Sequence, residues 1–298
     1  KYILKKNKKS LLSISGLTKK YNETKAIEDI SFDIPDKSIF ALLGPNGSGK
    51  STIIKILSRL TSDWTGDILY NGQSIKEENH YLKDFGFIIE EPCFYEYLSA
   101  RKNLEIFSRL TNTHPQRTDV VLKLVDLIHR ADDKVRKYSY GMKQRLGIAQ
   151  ALLHDPKILV LDEPNNGLDP IGVNQMADLI FRLNNKGKTI LLSTHSLIEV
   201  DRLCSHVAIL RDGNLLIEKE IKTNSGIKFF RVEVNDKSNA IRFLKELDYI
   251  SIIAKENNIL VISQNLTKTS TDLQKEVGKS KNIKSIHQES DLIRYFYD

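Results

Sequence analysis

The chain has 298 residues, of which 40% are hydrophobic and 28% are charged, and its formal net charge is +7. This length suffices for one large domain and a small one, and the composition is that of an ordinary globular protein. No apolar run approaches the ~20 residues of a membrane-spanning helix, and no apolar segment typical of a secretory signal follows the lysine-rich start. We therefore expect any membrane role to depend on a partner. Two cysteines without metal-ligand spacing, Cys93 and Cys204, indicate a reducing compartment.

The positive charge is concentrated at the N-terminus. Residues 1–20 contain seven lysines and no acidic residue, whereas the remainder has 38 basic and 38 acidic residues. We interpret residues 1–10 as a solvated basic arm, with attraction to anionic lipid head groups as the alternative, at ~1 kcal/mol per lysine. Because the rest of the chain is balanced in charge, no nucleic-acid partner is expected.

Short apolar segments alternate with helical patterns, which predicts an α/β fold with a largely parallel sheet. Residues 38–43 are predicted as a buried strand and residues 52–60 as the helix after it. Residues 158–161 and 189–193 are apolar on both faces, as central strands are. Residues 207–217 contain Asp-Gly-Asn between two apolar runs and are predicted to form a hairpin.

A helical block interrupts the strand series over about residues 91–153. Apolar residues recur there at three- and four-residue spacing, as in Leu104, Phe107 and Leu110 and then in Val121, Leu124, Val125 and Ile128. This period indicates amphipathic helices, so we predict an inserted helical subdomain.

The pattern changes again after residue 221, where residues 222–226 are predicted to be a linker. Strands are predicted at 229–234, 250–254, 259–263 and 283–287, and helices at 239–247, 272–279 and 291–297. The order βαββαβ predicts a small α+β, ferredoxin-like domain over residues 221–298. It carries no catalytic motif, so we interpret it as a packing or regulatory appendage, with a ligand sensor as the alternative.

A phosphate-binding loop lies between the first buried strand and its helix. The segment matches G-x-x-x-x-G-K-[ST] and consists of Gly44, Pro45, Asn46, Gly47, Ser48, Gly49, Lys50, Ser51 and Thr52. Its glycines let successive backbone N–H groups point at phosphate oxygens, and the helix N-terminus adds partial positive charge. Lys50 is expected to reach the β- and γ-phosphates and Ser51 to ligate Mg²⁺.

Two carboxylates, Asp162 and Glu163, follow the apolar strand 158–161. A strand end in such a sheet places both beside the phosphate loop. We expect Asp162 to hold Mg²⁺ through its water shell and Glu163 to polarise the water that attacks the γ-phosphate.

A Ser-x-Gly turn opens a helix shortly before that strand, in Tyr138-Ser139-Tyr140-Gly141-Met142-Lys143-Gln144-Arg145. Together with Asp162-Glu163, this segment resembles the signature motif and Walker B strand of ATP-binding cassette (ABC) ATPases. Over residues 11 to about 220 the chain is similar to the nucleotide-binding subunit of an ABC transporter. The resemblance implies an ABC ATPase domain over residues 11–220 that binds ATP and Mg²⁺ and hydrolyses ATP.

Three further residues match single positions of the family pattern. Tyr21 matches the aromatic residue that stacks on adenine, and Asp169 matches the loop that communicates between two nucleotide sites. His195 matches the switch histidine that contacts the γ-phosphate. The catalytic residues implied are thus Lys50, Glu163 and His195.

Two positions depart from the family pattern. Glu90 stands where the family usually has Gln, with Glu91 as the alternative register, and adds a negative charge near phosphate. The expected Mg²⁺ ligands are accordingly Ser51, Glu90 and Asp162. Tyr140 replaces a glycine, so its φ must be negative. Ser139 and Gly141 remain, and by the resemblance they contact the partner's ATP. Both departures resemble the bacterial bacitracin- and lantibiotic-type exporters.

The resemblance also implies partners. A second ATPase subunit, expected to be an identical copy, would complete two ATP sites, and a separate membrane-spanning permease would choose a peptide antibiotic or drug for export. The chain is then expected at the cytoplasmic face of the membrane and to dock through the segment from Phe94 to Phe107, where Phe94, Tyr95, Tyr97 and Leu98 give an aromatic surface. The alternative is a non-transport ABC ATPase that acts on ribosomes or nucleic acid.

Overall fold

The computed structural model describes residues 10–76, 79–221, 228–247, 249–264, 273, 280–289 and 292–293. The basic arm before Ser10, the linker 222–226, and the helices predicted at 272–279 and 291–297, apart from residues 273 and 292–293, lie outside the described residues. The chain divides into two compact units, Lys1–His195 with Leu203–Glu220 and Ser196–Arg202 with Ile221–Asp298. No helix in the described part is long and apolar enough to cross a membrane.

The elements up to residue 220 alternate between strands and helices. The strands are β1 (Ser10–Tyr21), β2 (Thr24–Pro35), β3 (Ile39–Leu43), β4 (Trp64–Tyr70), β5 (Gln73–Ser74), β6 (Phe85–Ile88), β7 (Ile158–Asp162), β8 (Thr189–Thr194), β9 (His206–Arg211) and β10 (Asn214–Glu220). The helices are α1 (Lys50–Leu57), α2 (Ala100–Leu110), α3 (Arg117–Leu124), α4 (Tyr140–Ala151), α5 (Pro170–Asn185) and α6 (Leu197–Leu203).

The larger sheet of the first unit has six strands in the order β10-β9-β3-β8-β7-β6. The five strands from β9 to β6 are parallel and β10 pairs antiparallel with β9, which confirms the predicted hairpin. All five residues of β3 are buried, as expected of a strand with apolar residues on both faces. Helix α1 begins two residues earlier than predicted, directly after Gly49, and ends at Leu57.

A second, antiparallel sheet has the order β2-β1-β4-β5, and sequence patterns did not predict it. Its inner face joins the core around β3 and α1, through Leu12, Ile14, Ile30, Phe32 and Ile68. Register shifts interrupt the pairing of β1 with β2, for example between Ile14 and Leu17. Such bulges break the two-residue alternation by which a half-buried strand is recognised. The fold is therefore α/β with mixed sheets rather than one largely parallel sheet.

Helices α2, α3 and α4 lie between β6 and β7 in the chain, within the block predicted to be helical. Leu104, Val121 and Val125 of the predicted apolar pattern are fully buried. Leu110 is 76% exposed, so the pattern was wrong at that position.

The second unit contains β11 (Lys228–Val234), α7 (Lys237–Lys245), β12 (Ile250–Glu256), β13 (Ile259–Gln264) and β14 (Ile283–Glu289). Its sheet has the order β12-β13-β11-β14, and every neighbouring pair is antiparallel. The predicted hairpin at Asn257 is confirmed, with a positive φ of 42° at that residue. Helix α7 begins two residues before the predicted start, because the Asp236 carboxylate caps it.

Candidate functional site

The phosphate loop joins the C-terminal end of β3 to the N-terminus of α1, where backbone N–H groups have no partner within the helix. Gly49 has φ of 105°, and a Cβ atom placed there would lie 2.4 Å from Cγ2 of Ile27. A Cβ atom on Gly44 would lie 2.2 Å from the Leu210 carbonyl oxygen. Both positions therefore exclude any side chain, and the backbone itself forms the wall of the loop.

Lys50 lies inside this loop and is only 4% exposed. Its Nζ donates hydrogen bonds to the carbonyl oxygens of Gly44 and Pro45, at 2.8 and 3.0 Å. The buried Ser48 hydroxyl has no hydrogen-bond partner among the described residues. An orphaned polar atom beside a buried ammonium group fits a site built to receive an anionic group.

A cavity of about 330 Å³ opens onto the loop. Its lining brings the predicted loop residues together with one predicted catalytic carboxylate, and consists of Ala26, Asn46, Gly47, Gly49, Lys50, Ser51, Thr52 and Glu163. Tyr21, predicted to stack on adenine, is not part of this lining. Its ring is 45% exposed, its hydroxyl bonds Thr61 Oγ1 at 3.3 Å, and Lys19 Nζ lies 5.0 Å from its centroid.

Asp162 is the last residue of β7 and lies opposite Ser193 of β8. Ser51 Oγ donates to Asp162 Oδ1 at 3.4 Å, and Ser193 Oγ donates to the same oxygen at 2.5 Å. The structure thus brings two of the three predicted metal ligands together. Hydroxyl and carboxylate oxygens are the donors that Mg²⁺ takes beside substrate phosphates, so the pair fits that ion. Ser193 was missed from the sequence, because only strand pairing places it there.

Glu163 has a positive φ of 45°, an uncommon conformation for a residue with a side chain. Its Oε1 lies 3.6 Å from Lys50 Nζ and its Oε2 lies 3.0 Å from His195 Nδ1. Its backbone N–H donates to Ser193 Oγ at 2.9 Å. All three predicted catalytic residues therefore meet at one carboxylate at the end of β7.

Glu90 also has a positive φ, of 62°, and lies in the loop after β6. Its carboxylate is paired with Lys55 of α1, at 3.0 Å, rather than with Ser51 or Asp162. Its side chain is 72% exposed. The predicted role of Glu90 as a metal ligand stays a prediction, and Lys55 is a neighbour that the sequence motifs did not indicate.

The signature turn has the local geometry expected of it. Ser139 caps α4, where its hydroxyl accepts a hydrogen bond from the Met142 N–H at 3.3 Å. Tyr140 is the first helical residue and is not among the residues with positive φ, as predicted for a substituted glycine. Asp169 caps α5 in the same way, accepting from the Gly172 N–H at 2.7 Å. Ser139 and Gly141 thus lie at a helix N-terminus, the end of a helix that can bind anions.

Fold and site together define a P-loop ATPase, in which a phosphate loop around Lys50 faces acidic residues at the end of a neighbouring parallel strand. Residues 27–166 match the family model described as ABC transporter. The chain is 40% identical to the uncharacterized ABC transporter ATP-binding protein YhcH of Bacillus subtilis, over 82% of this chain and 81% of that protein. It is 37% identical to the bacitracin transport ATP-binding protein BcrA of Bacillus licheniformis, over 80% of this chain and 79% of that protein.

The lantibiotic transport ATP-binding protein SrtF of Streptococcus pyogenes is 39% identical, over 70% of this chain and 91% of SrtF. Among solved structures, cbiO1 from Clostridium perfringens, part of the ABC transporter complex cbiONQ, is similar with a TM-score of 0.67 and 27% identity, over 72% of this chain and 90% of that chain. The chain therefore belongs to the ATP-binding proteins of ABC transporters, and it is an ATPase subunit.

Proposed function

We propose that this ATPase subunit powers a separate membrane-spanning permease that exports a peptide antibiotic or a drug. The meeting of Lys50, Glu163 and His195 beside the phosphate loop supports the ATPase part of this proposal. The names of BcrA and SrtF, which concern bacitracin and lantibiotic transport, support the choice of cargo. The permease would hold the subunit at the cytoplasmic face of the membrane.

The proposed organisation is an ABC ATPase domain over residues 11–220, with a helical subdomain at about 91–153, and an accessory domain over 221–298. Helices α2 to α4, inserted between β6 and β7, support the subdomain. In the second unit, the strand order β12-β13-β11-β14 with α7 between β11 and β12 supports a ferredoxin-like arrangement.

The proposed chemistry divides the site into binding and activating groups. Lys50 and the loop N–H groups hold the phosphates, while Ser51 and Asp162 hold Mg²⁺, which neutralises charge on the phosphates when bound. Glu163 accepts a hydrogen bond from the attacking water and orients it. His195, 3.0 Å from Glu163, keeps that carboxylate in place and faces the γ-phosphate.

Two copies would bind two ATP molecules head to tail, with the Ser139–Gly141 turn of each copy on the nucleotide of the other. Substitution Glu163→Gln removes the charged water-orienting group but keeps the size of the side chain. We expect this variant to bind ATP, to form a dimer of twice 34.1 kDa in light scattering, and to hydrolyse ATP about 100-fold more slowly.

Lys50→Ala is the control for this experiment, because it removes the ammonium group that is proposed to hold the phosphates. This variant is expected to remain monomeric with ATP. A Glu163→Gln protein that stays monomeric in saturating ATP would contradict the head-to-tail dimer. Undiminished hydrolysis by the same variant would contradict the role of Glu163.

For the permease, the exposed aromatic side chains at Tyr95 and Tyr97 support docking through the segment from Phe94 to Phe107. The subunit, tagged and purified from native membranes in mild detergent, is expected to bring a multi-span membrane protein with it. Deletion of its gene is expected to lower the inhibitory concentration of bacitracin or a lantibiotic selectively. Recovery with ribosomes or nucleic acid instead would favour a non-transport ABC ATPase.

A further inference from the structure

The hydroxyl of Tyr140 lies between two polar side chains from different parts of the first unit. It donates to Oε1 of Glu91, in the loop after β6, at 3.3 Å. It accepts a hydrogen bond from Nε2 of Gln144, one turn along α4, at 3.0 Å. Gln144 is only 6% exposed, so its amide is fixed and in turn fixes the direction of the tyrosine hydroxyl.

The ring of Tyr140 lies against the loop after β7. A Cβ atom placed on Gly167 would lie 3.1 Å from Cε1 of Tyr140, and Gly167 has φ of 74°. At Gly141, which follows Tyr140 in the chain, a Cβ atom would lie 3.4 Å from Leu168 Cδ2. The start of α4 therefore packs closely on the segment that leads to Asp169.

Two further contacts join α4 to the loop after β6. A Cβ atom on Gly147 would lie 2.9 Å from Cβ of Pro92, so the helix backbone and the proline ring are in close contact. Lys143 Nζ is paired with Glu96 at 2.5 Å. Tyr140 is thus one of several links along this side of the helix, and it is the one at the signature turn.

The adjacent residues Glu90 and Glu91 are connected to different helices. Glu90 is paired with Lys55 on α1, the helix that begins at the phosphate loop. Glu91 accepts from Tyr140 on α4. Because the two carboxylates follow one another in the chain, a shift of the loop toward or away from α1 changes the distance between Glu91 and Tyr140. The loop after β6 thereby joins α1, which begins at the phosphate loop, to the first turn of α4.

We propose that Tyr140 is a positioning residue that couples the loop Glu90–Pro92 to the Ser139–Gly141 turn. ATP binding at the site of one subunit then brings the turn of that subunit into the position in which it contacts the ATP of the other. The proposal rests on the head-to-tail dimer of the proposed function. It gives a role to the residue that replaces a glycine of the family pattern. Tyr140 acts through Ser139 and Gly141 and need not touch nucleotide.

The test is a double-mutant cycle on full-length protein that carries Glu163→Gln, with the ATP concentration for half-maximal dimerisation as the readout. Tyr140→Phe keeps the ring against Gly167 and removes the hydroxyl. We expect it to raise that concentration about three- to tenfold, the range for one lost hydrogen bond to a charged acceptor that is partly exposed to water. Glu91→Ala is expected to have the same effect, and the double variant no more than either single one.

Three controls separate coupling from a structural role. Glu91→Gln keeps an acceptor oxygen without the charge and is expected to raise the ATP requirement less than Glu91→Ala does. Tyr81→Phe removes a tyrosine hydroxyl bonded to the Leu57 carbonyl, away from α4, and should leave the ATP requirement unchanged. ATP affinity at protein concentrations too low for dimerisation is expected to be the same for Tyr140→Phe and its parent. Thermal stability is expected to fall in Tyr140→Phe, because the buried Gln144 amide loses its acceptor, but not in Glu91→Ala, where the Gln144 bond remains.

Each outcome decides the proposal. A Tyr140→Phe protein with the ATP requirement of its parent contradicts the coupling, as do additive effects of the two single variants, which would mean that Tyr140 and Glu91 act separately. If the parent Glu163→Gln protein does not dimerise, the proposed function fails and the coupling fails with it. A dimerising parent with unaffected variants contradicts the coupling alone.

Discussion

At the scale of single residues, Glu90 raises an electrostatic question, because a carboxylate close to ATP phosphates repels them. The structure offers a compensating charge in Lys55, whose Nζ lies 3.0 Å from the Glu90 carboxylate. Lys55 lies four residues after Ser51 and therefore one turn further along α1. With Glu90 at the predicted position of the family's Gln, the Glu90–Lys55 pair would carry no net charge, as an uncharged Gln does.

Substitution Lys55→Met is expected to leave Glu90 uncompensated and to weaken MgATP binding about threefold at low salt, since an exposed pair contributes ~0.2–1 kcal/mol. The loss should shrink at high salt, and a second substitution, Glu90→Gln, should restore affinity. The affinity for a fluorescent ATP analogue is measured for the parent, the two variants and the control. Lys76→Met, which removes a similarly exposed lysine 3.8 Å from Asp67, is the matched control. If Lys55→Met/Glu90→Gln binds as weakly as Lys55→Met, then Lys55 acts on the nucleotide directly.

At the scale of elements, the strands with apolar residues on both faces, such as β3, were predictable because a buried parallel strand needs no alternation. The phosphate loop and the acidic end of β7 were equally predictable, since each is a contiguous motif. The antiparallel strands β1 and β2 were not, because bulges break their period. Contacts such as Lys55 with Glu90 and Ser193 with Asp162 join residues more than 30 positions apart, where no local pattern records them.

Tyr138, just before the start of α4, makes the stability of the fold depend on pH. Burial raises the pKa of its hydroxyl to about 12, and the hydroxyl donates to the Arg130 carbonyl at 2.7 Å. Since this folded-state pKa exceeds the unfolded value of 10.0, the neutral tyrosine contributes fully to stability below pH ~10. That contribution is lost as the pH rises through 12.

We therefore expect Tyr138→Phe to lower the free energy of unfolding at pH 8, where the hydrogen bond is lost, and to flatten its decline above pH 10. For each pH unit above 10, the free energy of unfolding of the variant should fall by up to ~1.4 kcal/mol less than that of the parent. Urea unfolding at pH 8, 10 and 11 measures the effect. Tyr97→Phe, at a position that is 65% exposed, is the control and should keep the slope of the parent. Parallel slopes for Tyr138→Phe and the parent would contradict the assignment to Tyr138.

At the scale of the whole molecule, the boundary between the two units falls directly after His195. Segment Ser196–Arg202 belongs to the second unit, although the chain returns to the first unit at Leu203. Leu197 packs there against Ala254, Val261 and Ile293. The residue that bonds Glu163 is thus covalently followed by a helix whose packing partners lie in the C-terminal part of the chain. We therefore expect the packing of α6 in the second unit to influence ATP hydrolysis through His195.

Loosening α6 within the second unit should therefore affect hydrolysis more than binding. Leu197→Ala removes apolar contacts with Ala254, Val261 and Ile293, and local stability of the segment falls with them. We expect kcat for ATP to drop about three- to tenfold, because His195 is held less firmly against Glu163, while ATP affinity changes less than twofold since the loop around Lys50 is untouched. Ile198→Ala is the matched control on the same helix, as this side chain is 70% exposed. Equal losses from both substitutions, or a loss in affinity rather than in kcat, would mean that α6 does not transmit the packing of the second unit to His195.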